Sequence, residues 1–297
     1  MTYMSLCGKV LIDRALEERT IDVPQVLFSH ISRSTVRAEI VATESGTVAG
    51  IETLECQAKE LGLQITLHVS SGSKVQPGKV IAAVTGNPVQ IVRGEELLLG
   101  AIAKFSGVAT AAHTAVRKAQ NIRVVCGGWK KMPIKIKDEL RDALKAGGVD
   151  SRIVPGPFLY LDKNYVRILG SLVRAMENTA KFPGRTVVIQ LRGETMPIAE
   201  EAITAARYGA QVLMVDTGRL SDLRDVSIAL RRENLRERVE IAFAGNISLS
   251  KLEHLQNEDL DVVDIGRAIL GAPLLDFRYD VVEVKVNDDG ITPSGEN

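Results

Sequence analysis

The sequence is poor in cysteine, histidine and aromatic residues. It has 3 cysteines and 4 histidines among 297 residues, and the cysteines are too far apart for a CxxC pair. This scatter disfavours a zinc site and a disulfide framework, and it favours reduced thiols in a cytoplasmic protein. Aromatic residues make up 4% of the chain, which disfavours a base-stacking surface for single-stranded nucleic acid.

The sequence also lacks an excess of either charge, because 37 basic side chains balance 37 acidic ones. Zero net charge removes the long-range field of a dedicated nucleic-acid or membrane-surface binder, while a local basic pocket stays possible. Charged residues precede any long apolar run near the N-terminus, so we expect neither a signal peptide nor a membrane anchor. The apolar fraction of 45% is that of a globular protein with a large core.

The first third of the chain has the pattern of short strands separated by turns. Residues 35–50 alternate apolar and polar side chains, and residues 71–86 place a Pro-Gly turn between two short apolar runs. Residues 52–62 have helical spacing between these strands. The pattern predicts an α+β unit and not a barrel.

The remainder of the chain predicts a parallel sheet covered by helices. Residues 96–120 form one long apolar stretch that predicts a buried helix. The predicted strands after it are 122–128, 158–161, 186–191, 211–216, 239–245 and 261–266, and the predicted helices are 138–147, 164–181, 198–209, 220–234 and 248–257. Alternation of helices with strands that are apolar on both faces is typical of α/β proteins. We favour an incomplete α/β barrel over an open doubly wound sheet, although periodicity alone does not separate them.

The loops after the last two predicted strands have the residues of a phosphate site. Gly245 and Asn246 follow one strand, and Gly266 and Arg267 follow the other. In α/β barrels phosphate is commonly bound here, because backbone N–H groups point toward it and glycine allows close approach. Arg267 would add a charge-assisted hydrogen bond. The alternative is that the glycines only make tight turns.

Three further residues stand at predicted strand ends. Lys130 and Lys131 follow the strand 122–128, where they could hold an anionic substrate or lie on a solvated edge. Asp216 ends the strand 211–216, where a carboxylate could bind magnesium or stabilise a cationic transition state. Its alternative role is to cap the next helix.

Four segments together resemble the quinolinate phosphoribosyltransferases, or carboxylating nicotinate-nucleotide pyrophosphorylases. They are VQPGKVIAAVTG at 75–86, KFSGVAT at 104–110, AGGVDSR at 146–152 and DIGRAILGAPLLDFRYDV at 264–281. The resemblance covers most of residues 8–282.

The resemblance implies an α/β fold with two domains. An N-terminal α+β sandwich would span residues 1–105, joined by residues 275–297, and a C-terminal incomplete TIM-like barrel would span residues 106–274. It also implies a homodimer that transfers phosphoribose from phosphoribosyl pyrophosphate to quinolinate with Mg²⁺, releasing pyrophosphate and carbon dioxide.

The resemblance carries over to some site residues and fails at others. It places Lys130 on the family's active-site lysine, Arg152 on an arginine that binds substrate carboxylates, and Asp216 on a barrel carboxylate that is also a metal ligand. Other family positions are changed. Glu96 and Trp129 each replace an arginine, Ser151 replaces a histidine, and Gln190 replaces a glutamate. Asp162 occupies the position of a family lysine, and the lysine of this chain, Lys163, comes one residue later.

These replacements reverse or remove charges that would face a dianionic acceptor, which costs binding free energy on the order of several kcal/mol. We therefore expect a pyridine carboxylate or related acceptor that is less anionic than quinolinate, with weak activity on quinolinate itself. Two alternatives remain open at this point. One is a non-catalytic homologue that binds a nucleotide or sugar phosphate, and the other is a barrel acting on a different phosphorylated metabolite.

Overall fold

The computed structural model describes residues 21–286, so Cys7 and the polar residues after Val286 lie outside it. The chain forms two compact units. Among the described residues, the first unit contains residues 21–110, 133–146 and 273–286. The second unit contains residues 111–132 and 147–272.

Ten α-helices and twelve strands are formed by the described residues. The helices are α1 (Val23–Leu27), α2 (Ile51–Glu60), α3 (Pro88–Ala119), α4 (Lys137–Ala146), α5 (Lys163–Leu169), α6 (Leu172–Glu177), α7 (Ile198–Arg207), α8 (Leu220–Arg232), α9 (Leu252–Leu255) and α10 (Arg267–Leu270). The strands are β1 (Thr35–Ala42), β2 (Gly46–Thr47), β3 (Gln64–Leu67), β4 (Lys74–Val75), β5 (Val80–Gly86), β6 (Arg123–Val125), β7 (Phe158–Leu161), β8 (Thr186–Leu191), β9 (Val212–Asp216), β10 (Glu240–Ala244), β11 (Val262–Asp264) and β12 (Phe277–Lys285).

The first unit contains a four-stranded antiparallel sheet in the order β12-β1-β5-β3, and β2 and β4 form a separate two-stranded ribbon. Alternate residues of β1 are buried, which gives the strand one core face. Helix α2 buries Ile51, Leu54 and Ala58, which lie on one side at helical spacing. These side chains share one hydrophobic core with the sheet. The α+β prediction for this part of the chain is confirmed.

Helix α3 starts at Pro88, eight residues before the predicted start, because a capping box fixes its first turn. The Gln90 amide N–H donates to the Asn87 side chain at 2.9 Å, and the Asn87 amide N–H donates to the Gln90 side chain at 2.9 Å. Proline at the first helical position suits this turn. By length and composition α3 is apolar enough to cross a membrane. Half of its most apolar stretch of 18 residues is buried inside the protein, as in the core helix of a soluble fold.

The second unit contains six parallel strands in the order β6-β11-β10-β9-β8-β7. Of these six strands, the last in sequence, β11, therefore pairs with the first, β6, as in a closed barrel. The other edge of β6 carries a single bridge, from Val125 to Asp150, and among the described residues no ladder joins β6 to β7. The barrel is incomplete, as predicted, and all six predicted strands are present.

Two predicted helices are interrupted. The predicted helix 164–181 ends first at Gly170, which has a φ of +86°, and Ser171 then caps α6 by accepting a hydrogen bond from the Arg174 amide. The predicted helix 248–257 begins as a 3₁₀ turn and is α-helical only over α9. In both cases the apolar residues keep a helical spacing through residues whose backbone is not α-helical.

Candidate functional site

Most of the predicted site residues lie at the carboxyl ends of the parallel strands in the second unit. The loop after β6 is a 3₁₀ turn, Gly127–Lys131, that carries Trp129, Lys130 and Lys131. The Gly127 amide N–H donates a hydrogen bond to Oδ1 of Asp264 at 2.8 Å. This bond fixes the start of the loop against the end of β11.

The loop after β6 also packs against the loop after β11. A Cβ atom on Gly128 would lie 2.7 Å from the Cα of Gly266, closer than any side chain tolerates. Backbone packing alone therefore explains glycine at position 128, whereas a Cβ on Gly266 would lie 3.3 Å from the Cα of Gly128, a tight contact that does not by itself require glycine. Gly266 precedes the four-residue helix α10, and the Arg267 side chain that follows it is exposed.

Trp129 and Ser151 meet through the backbone. The indole Nε1–H of Trp129 donates to the main-chain oxygen of Ser151 at 2.8 Å, so the half-buried ring is held in one orientation. The next residue, Arg152, places its guanidinium 5.1 Å from the ring centroid of Phe158 and donates from Nη2 to the Gly156 carbonyl at 3.0 Å. Stacking and a hydrogen bond thus orient a planar cation beside the first residue of β7, at the amino end of this strand. The structure therefore does not bring the Arg152 guanidinium to the carboxyl strand ends with the other predicted residues.

Lys130 lies above the aromatic ring of Tyr160, on β7, with its Nζ 5.9 Å from the ring centroid. Lys131 is exposed beside it. Burial raises the pKa of Tyr160, and the charges of Asp216, Asp264 and Asp162 raise it further, whereas Arg192 lowers it. Tyr160 thus marks the point toward which charged groups from four strand ends converge.

Asp264 is a carboxyl group whose surroundings favour its neutral form. Burial raises its pKa, the Gly127 N–H lowers it, Asp216 raises it, and Lys130 and Lys131 lower it, with a net rise. The same environment raises the pKa of the Cys126 thiol to about 12, mainly through burial and then through Asp264. Cys126 is consequently a neutral thiol at physiological pH.

A chain of hydrogen bonds connects the ends of β7, β8 and β9. The Lys163 amide N–H donates to Oε1 of Gln190 at 2.8 Å, and Nε2 of Gln190 donates to Oδ2 of Asp216. Asp216 does not cap α8, because Arg219 occupies that N-cap position. Asp162 instead acts as a helix cap, since its Oδ1 accepts from the Asn164 amide at 2.9 Å.

Arg192 is a strand-end cation that the sequence reasoning missed. Its Nη1 donates to the main-chain oxygen of Asp216 at 2.7 Å and lies 3.4 Å from Oδ2 of the same residue. The signal that could have found it is its position, one residue after the end of β8, beside the predicted Gln190. Asp264 and Tyr160 were missed as well.

A buried carboxylate holds the loop that carries Arg192. Glu201, on the first turn of α7, is 5% exposed. Its two oxygens accept the backbone N–H groups of Arg192 at 3.0 Å, Gly193 at 2.8 Å and Glu194 at 3.2 Å. Three bonds to one ionisable group give this loop a defined backbone conformation.

The loop after β10 packs tightly on the loop after β9. Gly245 has a φ of +112° and Asn246 a φ of +56°, both in the left-handed region. A Cβ on Gly218 would lie 2.2 Å from the Gly245 oxygen, and the Gly218 amide donates to the Ala244 oxygen at 2.9 Å. Close packing accounts for glycine here without a ligand, so the tight-turn and phosphate-loop alternatives both remain consistent with the geometry.

Glu96 belongs to the first unit, where it is an exposed residue of α3. The other predicted site residues all lie in the second unit. Within the described part of the chain, no group of three or more His, Cys, Asp or Glu side chains is arranged to hold a metal ion. The strand-end carboxylates available to a metal are Asp216 and Asp264.

Comparisons with known protein families match almost the whole chain. A model of the N-terminal domain of quinolinate phosphoribosyl transferase matches residues 15–106, and a model of the C-terminal domain of the same family matches residues 108–280.

Curated relatives share about a quarter of their residues with this chain. A probable nicotinate-nucleotide pyrophosphorylase [carboxylating] of Archaeoglobus fulgidus is 27% identical over 251 residues, which is 84% of this chain and 95% of that protein. The nicotinate-nucleotide pyrophosphorylase [carboxylating] of Rattus norvegicus is 26% identical, covering 86% of each chain.

Solved structures show the same fold at lower identity. The nicotinate-nucleotide pyrophosphorylase of Pyrococcus furiosus superposes with a TM-score of 0.77 at 21% identity, covering 96% of this chain and 79% of that one. The enzyme of the same name from Francisella tularensis gives a TM-score of 0.77 at 20% identity, covering 92% of this chain and 95% of that one.

Proposed function

Because this chain belongs to the quinolinate phosphoribosyltransferase family, we propose that it transfers phosphoribose from phosphoribosyl pyrophosphate to a pyridine carboxylate at the strand ends of its second unit. The family and the curated relatives indicate quinolinate phosphoribosyltransferase activity, so quinolinate is the first acceptor to test. They do not favour the alternative of a non-catalytic homologue.

The observation that supports this proposal most strongly is the meeting of opposite charges around Tyr160. Lys130 lies over its ring, and the Asp216 carboxylate is close enough to raise its pKa. Phosphoribosyl transfer needs this combination. Negative groups stabilise a ribose carbon that becomes cationic, while positive groups hold the departing pyrophosphate.

We assign the two catalytic roles to Lys130 and Asp216. The Lys130 ammonium would contact the anionic reactants, and the Asp216 carboxylate would stabilise the positive charge that develops at the ribose carbon as its bond to pyrophosphate breaks. Gln190 donates to Asp216 and so holds this carboxylate in place. The role of Gln190 is therefore to orient Asp216 as well as to line the substrate site.

The acceptor would be recognised by the residues beside β6 and β7. Trp129 supplies a fixed indole face for an aromatic ring, and Arg152 is proposed to bind a carboxylate on the family resemblance alone. The remaining proposed substrate-binding residues of the second unit are Lys131, Ser151 and Lys163. Glu96, in the first unit, is proposed as one on the family resemblance alone.

The phosphate groups would be bound by the loops after β10 and β11. These loops carry Gly245, Asn246, Gly266 and Arg267, and their position after the last two barrel strands is the one that phosphate commonly occupies in α/β barrels. The exposed Arg267 would add a charge-assisted contact to a phosphate oxygen.

The few carboxyl groups at the strand ends are enough to bind Mg²⁺. Enzymes commonly bind Mg²⁺ through one or two carboxylates together with water and substrate phosphates, so a cage of three protein ligands is not needed. Asp216 would hold the ion, and Asp264 lies near enough to affect it electrostatically. When bound, the ion supplies positive charge that neutralises the leaving pyrophosphate.

A homodimer in the cytoplasm remains a prediction from the family resemblance. Light scattering over a range of protein concentrations tests the dimer directly. A mass that stays at 32.2 kDa at all concentrations would contradict it.

The proposed function is tested by steady-state pyrophosphate release in the presence of phosphoribosyl pyrophosphate, Mg²⁺ and quinolinate. We expect release that requires both organic substrates, saturates with each and falls when Mg²⁺ is chelated. Nicotinate and other pyridine carboxylates serve as alternative acceptors. Binding of phosphoribosyl pyrophosphate without release in the presence of any of them would contradict the proposal.

A further inference from the structure

Arg192 is fixed at the end of β8 by contacts on both its backbone and its side chain. Glu201 accepts the N–H groups of Arg192 and of the two residues after it, and this carboxylate is buried. The guanidinium Nη1 then donates to the main-chain oxygen of Asp216 at 2.7 Å. A long cationic side chain that would otherwise sample many rotamers is thereby held in one place.

The contacts of Arg192 use only part of its hydrogen-bonding capacity. A guanidinium has five N–H donors in a planar fork. Nη1 is bonded to Asp216, and Nε forms an ion pair with Glu194 at 3.9 Å, a distance too long for a hydrogen bond. The edge formed by Nε and Nη2 has the geometry that binds a carboxylate with two parallel hydrogen bonds.

The charge of Arg192 acts on the site itself. It lowers the pKa of Tyr160, whereas the neighbouring carboxylates raise it, so the guanidinium is electrostatically coupled to the ring over which Lys130 lies. About one third of the Arg192 side chain is exposed. The group is therefore both accessible to a small anion and close enough to the strand ends to bind one.

The strand order indicates which anion this is. The proposed phosphate loops follow β10 and β11, and β9 separates them from β8. Strand β8 pairs instead with β7, and Lys163, just after the carboxyl end of β7, donates its backbone N–H to the Gln190 side chain on β8. Arg192 thus lies beside Lys163, a proposed substrate-binding residue, and is separated from the phosphate loops by β9.

We propose that Arg192 is a substrate-binding and specificity-determining residue that binds a carboxylate of the pyridine acceptor. This inference rests on the proposed function. Arg192 supplies a positive charge to a site in which Trp129, Ser151 and Asp162 occupy positions where the family resemblance implies cationic or basic side chains. The expectation of a less anionic acceptor rested on the changed positions 96, 129, 151, 162 and 190 and did not include Arg192.

The test compares ligand binding by the wild-type protein, Arg192→Met, Arg192→Lys and a matched control, Arg207→Met. Arg207 is an exposed arginine of α7 that pairs with Glu233 and has no place in the proposed site. Dissociation constants for quinolinate, nicotinate and pyrophosphate are measured by calorimetry. Fluorescence of Trp129, the one tryptophan in the chain, is a second readout.

We expect Arg192→Met to weaken quinolinate binding by about tenfold or more, the value of a charge-assisted hydrogen bond. Pyrophosphate binding should change by less than about twofold, and the preference for the dicarboxylate over nicotinate should fall. Arg192→Lys should restore part of the affinity, because lysine keeps the charge but not the fork. The Arg207→Met control should bind all three ligands as the wild type does.

Three outcomes would overturn the inference. Unchanged quinolinate affinity in Arg192→Met would show that Arg192 does not contact the acceptor. An equal loss for quinolinate and pyrophosphate would assign it a structural role through Asp216, and a selective loss for pyrophosphate would place it on the donor. If the wild-type protein itself bound neither quinolinate nor phosphoribosyl pyrophosphate, the proposed function would fail along with the inference.

Discussion

The Gly127 amide donates a 2.8 Å hydrogen bond to the carboxylate of Asp264, a residue 137 positions later in the sequence. This bond joins the first and last strands of the parallel sheet at their carboxyl ends, where β6 and β11 pair. It also places Asp264 beneath the loop that carries Lys130. The closure of the sheet and the electrostatics of the candidate site are therefore set by the same contact.

Asp264→Asn should increase stability at neutral pH and not at acid pH. The pKa of Asp264 is raised above its ordinary value of 3.8, so folding favours the protonated form. The stabilisation from this group is fully present below pH 3.8 and is lost as the pH rises through the folded-state pKa. Asparagine keeps an oxygen for the Gly127 N–H and has no charge to bury.

Urea denaturation of both proteins between pH 4 and pH 8 checks this. The stability of Asp264→Asn relative to the wild type should rise with pH and then level off, by about 1.4 kcal/mol for each unit of pKa shift. A difference between the two proteins that does not vary with pH would show that the carboxyl group titrates normally.

Gly218→Ala should destabilise the protein by more than the cost of placing alanine in a left-handed backbone conformation. Its φ is +69°, and a Cβ there would lie 2.2 Å from the Gly245 oxygen. The matched control is Gly209→Ala, with a φ of +92° and no atom within 4 Å of the new Cβ. We expect a loss of about 1 kcal/mol for the control, and about 3 kcal/mol or more for Gly218→Ala.

Equal losses in denaturation midpoint for the two alanine variants would mean that the loops after β9 and β10 separate without cost. The tight packing of Gly218 on Gly245 would then not be a structural requirement of this site.

Glu201→Gln should loosen the loop that carries Arg192. Three backbone N–H groups donate charge-assisted hydrogen bonds to this carboxylate. The glutamine side chain would offer them one oxygen acceptor and no negative charge. We expect a loss of about 2–3 kcal/mol in the free energy of unfolding, together with faster amide hydrogen exchange at residues 192–194.

The neighbouring Glu200→Gln is the matched control for Glu201→Gln. Glu200 is also in the first turn of α7 but is exposed, so its effect on stability should stay within about 0.5 kcal/mol. Similar values for the two variants would indicate that Glu201 acts only through the helix dipole.

Much of this fold follows from local pattern in the sequence. The strands β7 and β8 have the bounds that their apolar runs predict. In β8 consecutive residues are buried, and a strand buried on both faces is apolar along most of its length. The predicted helix 164–181 was wrong in the middle, where Gly170 adopts a left-handed conformation that apolar spacing does not reveal.

The site was harder to predict than the fold, because its key contacts join residues far apart in the chain. Arg192 gains its position from Asp216, 24 residues later, and from the buried Glu201. The sequence resemblance identified Gln190 as a changed position but could not show that its amide would bond to Asp216. Such contacts depend on the strand order of the completed sheet.

Lys130→Ala should abolish most of the activity without unfolding the protein. Its side chain is exposed and lies over Tyr160, so its removal should cost little stability. Loss of a cation that contacts the reacting groups should lower kcat roughly 100-fold or more. Lys181→Ala, an exposed lysine bonded to Asn178, is the control and should keep wild-type kcat.

The most direct measurement uses quinolinate with a labelled carboxyl group next to the ring nitrogen, together with phosphoribosyl pyrophosphate and Mg²⁺. If the protein is a quinolinate phosphoribosyltransferase, labelled carbon dioxide and pyrophosphate should appear in equal amounts, and Lys130→Ala should suppress both. Pyrophosphate released without labelled carbon dioxide, or neither product from a wild-type protein that binds both substrates, would contradict this account.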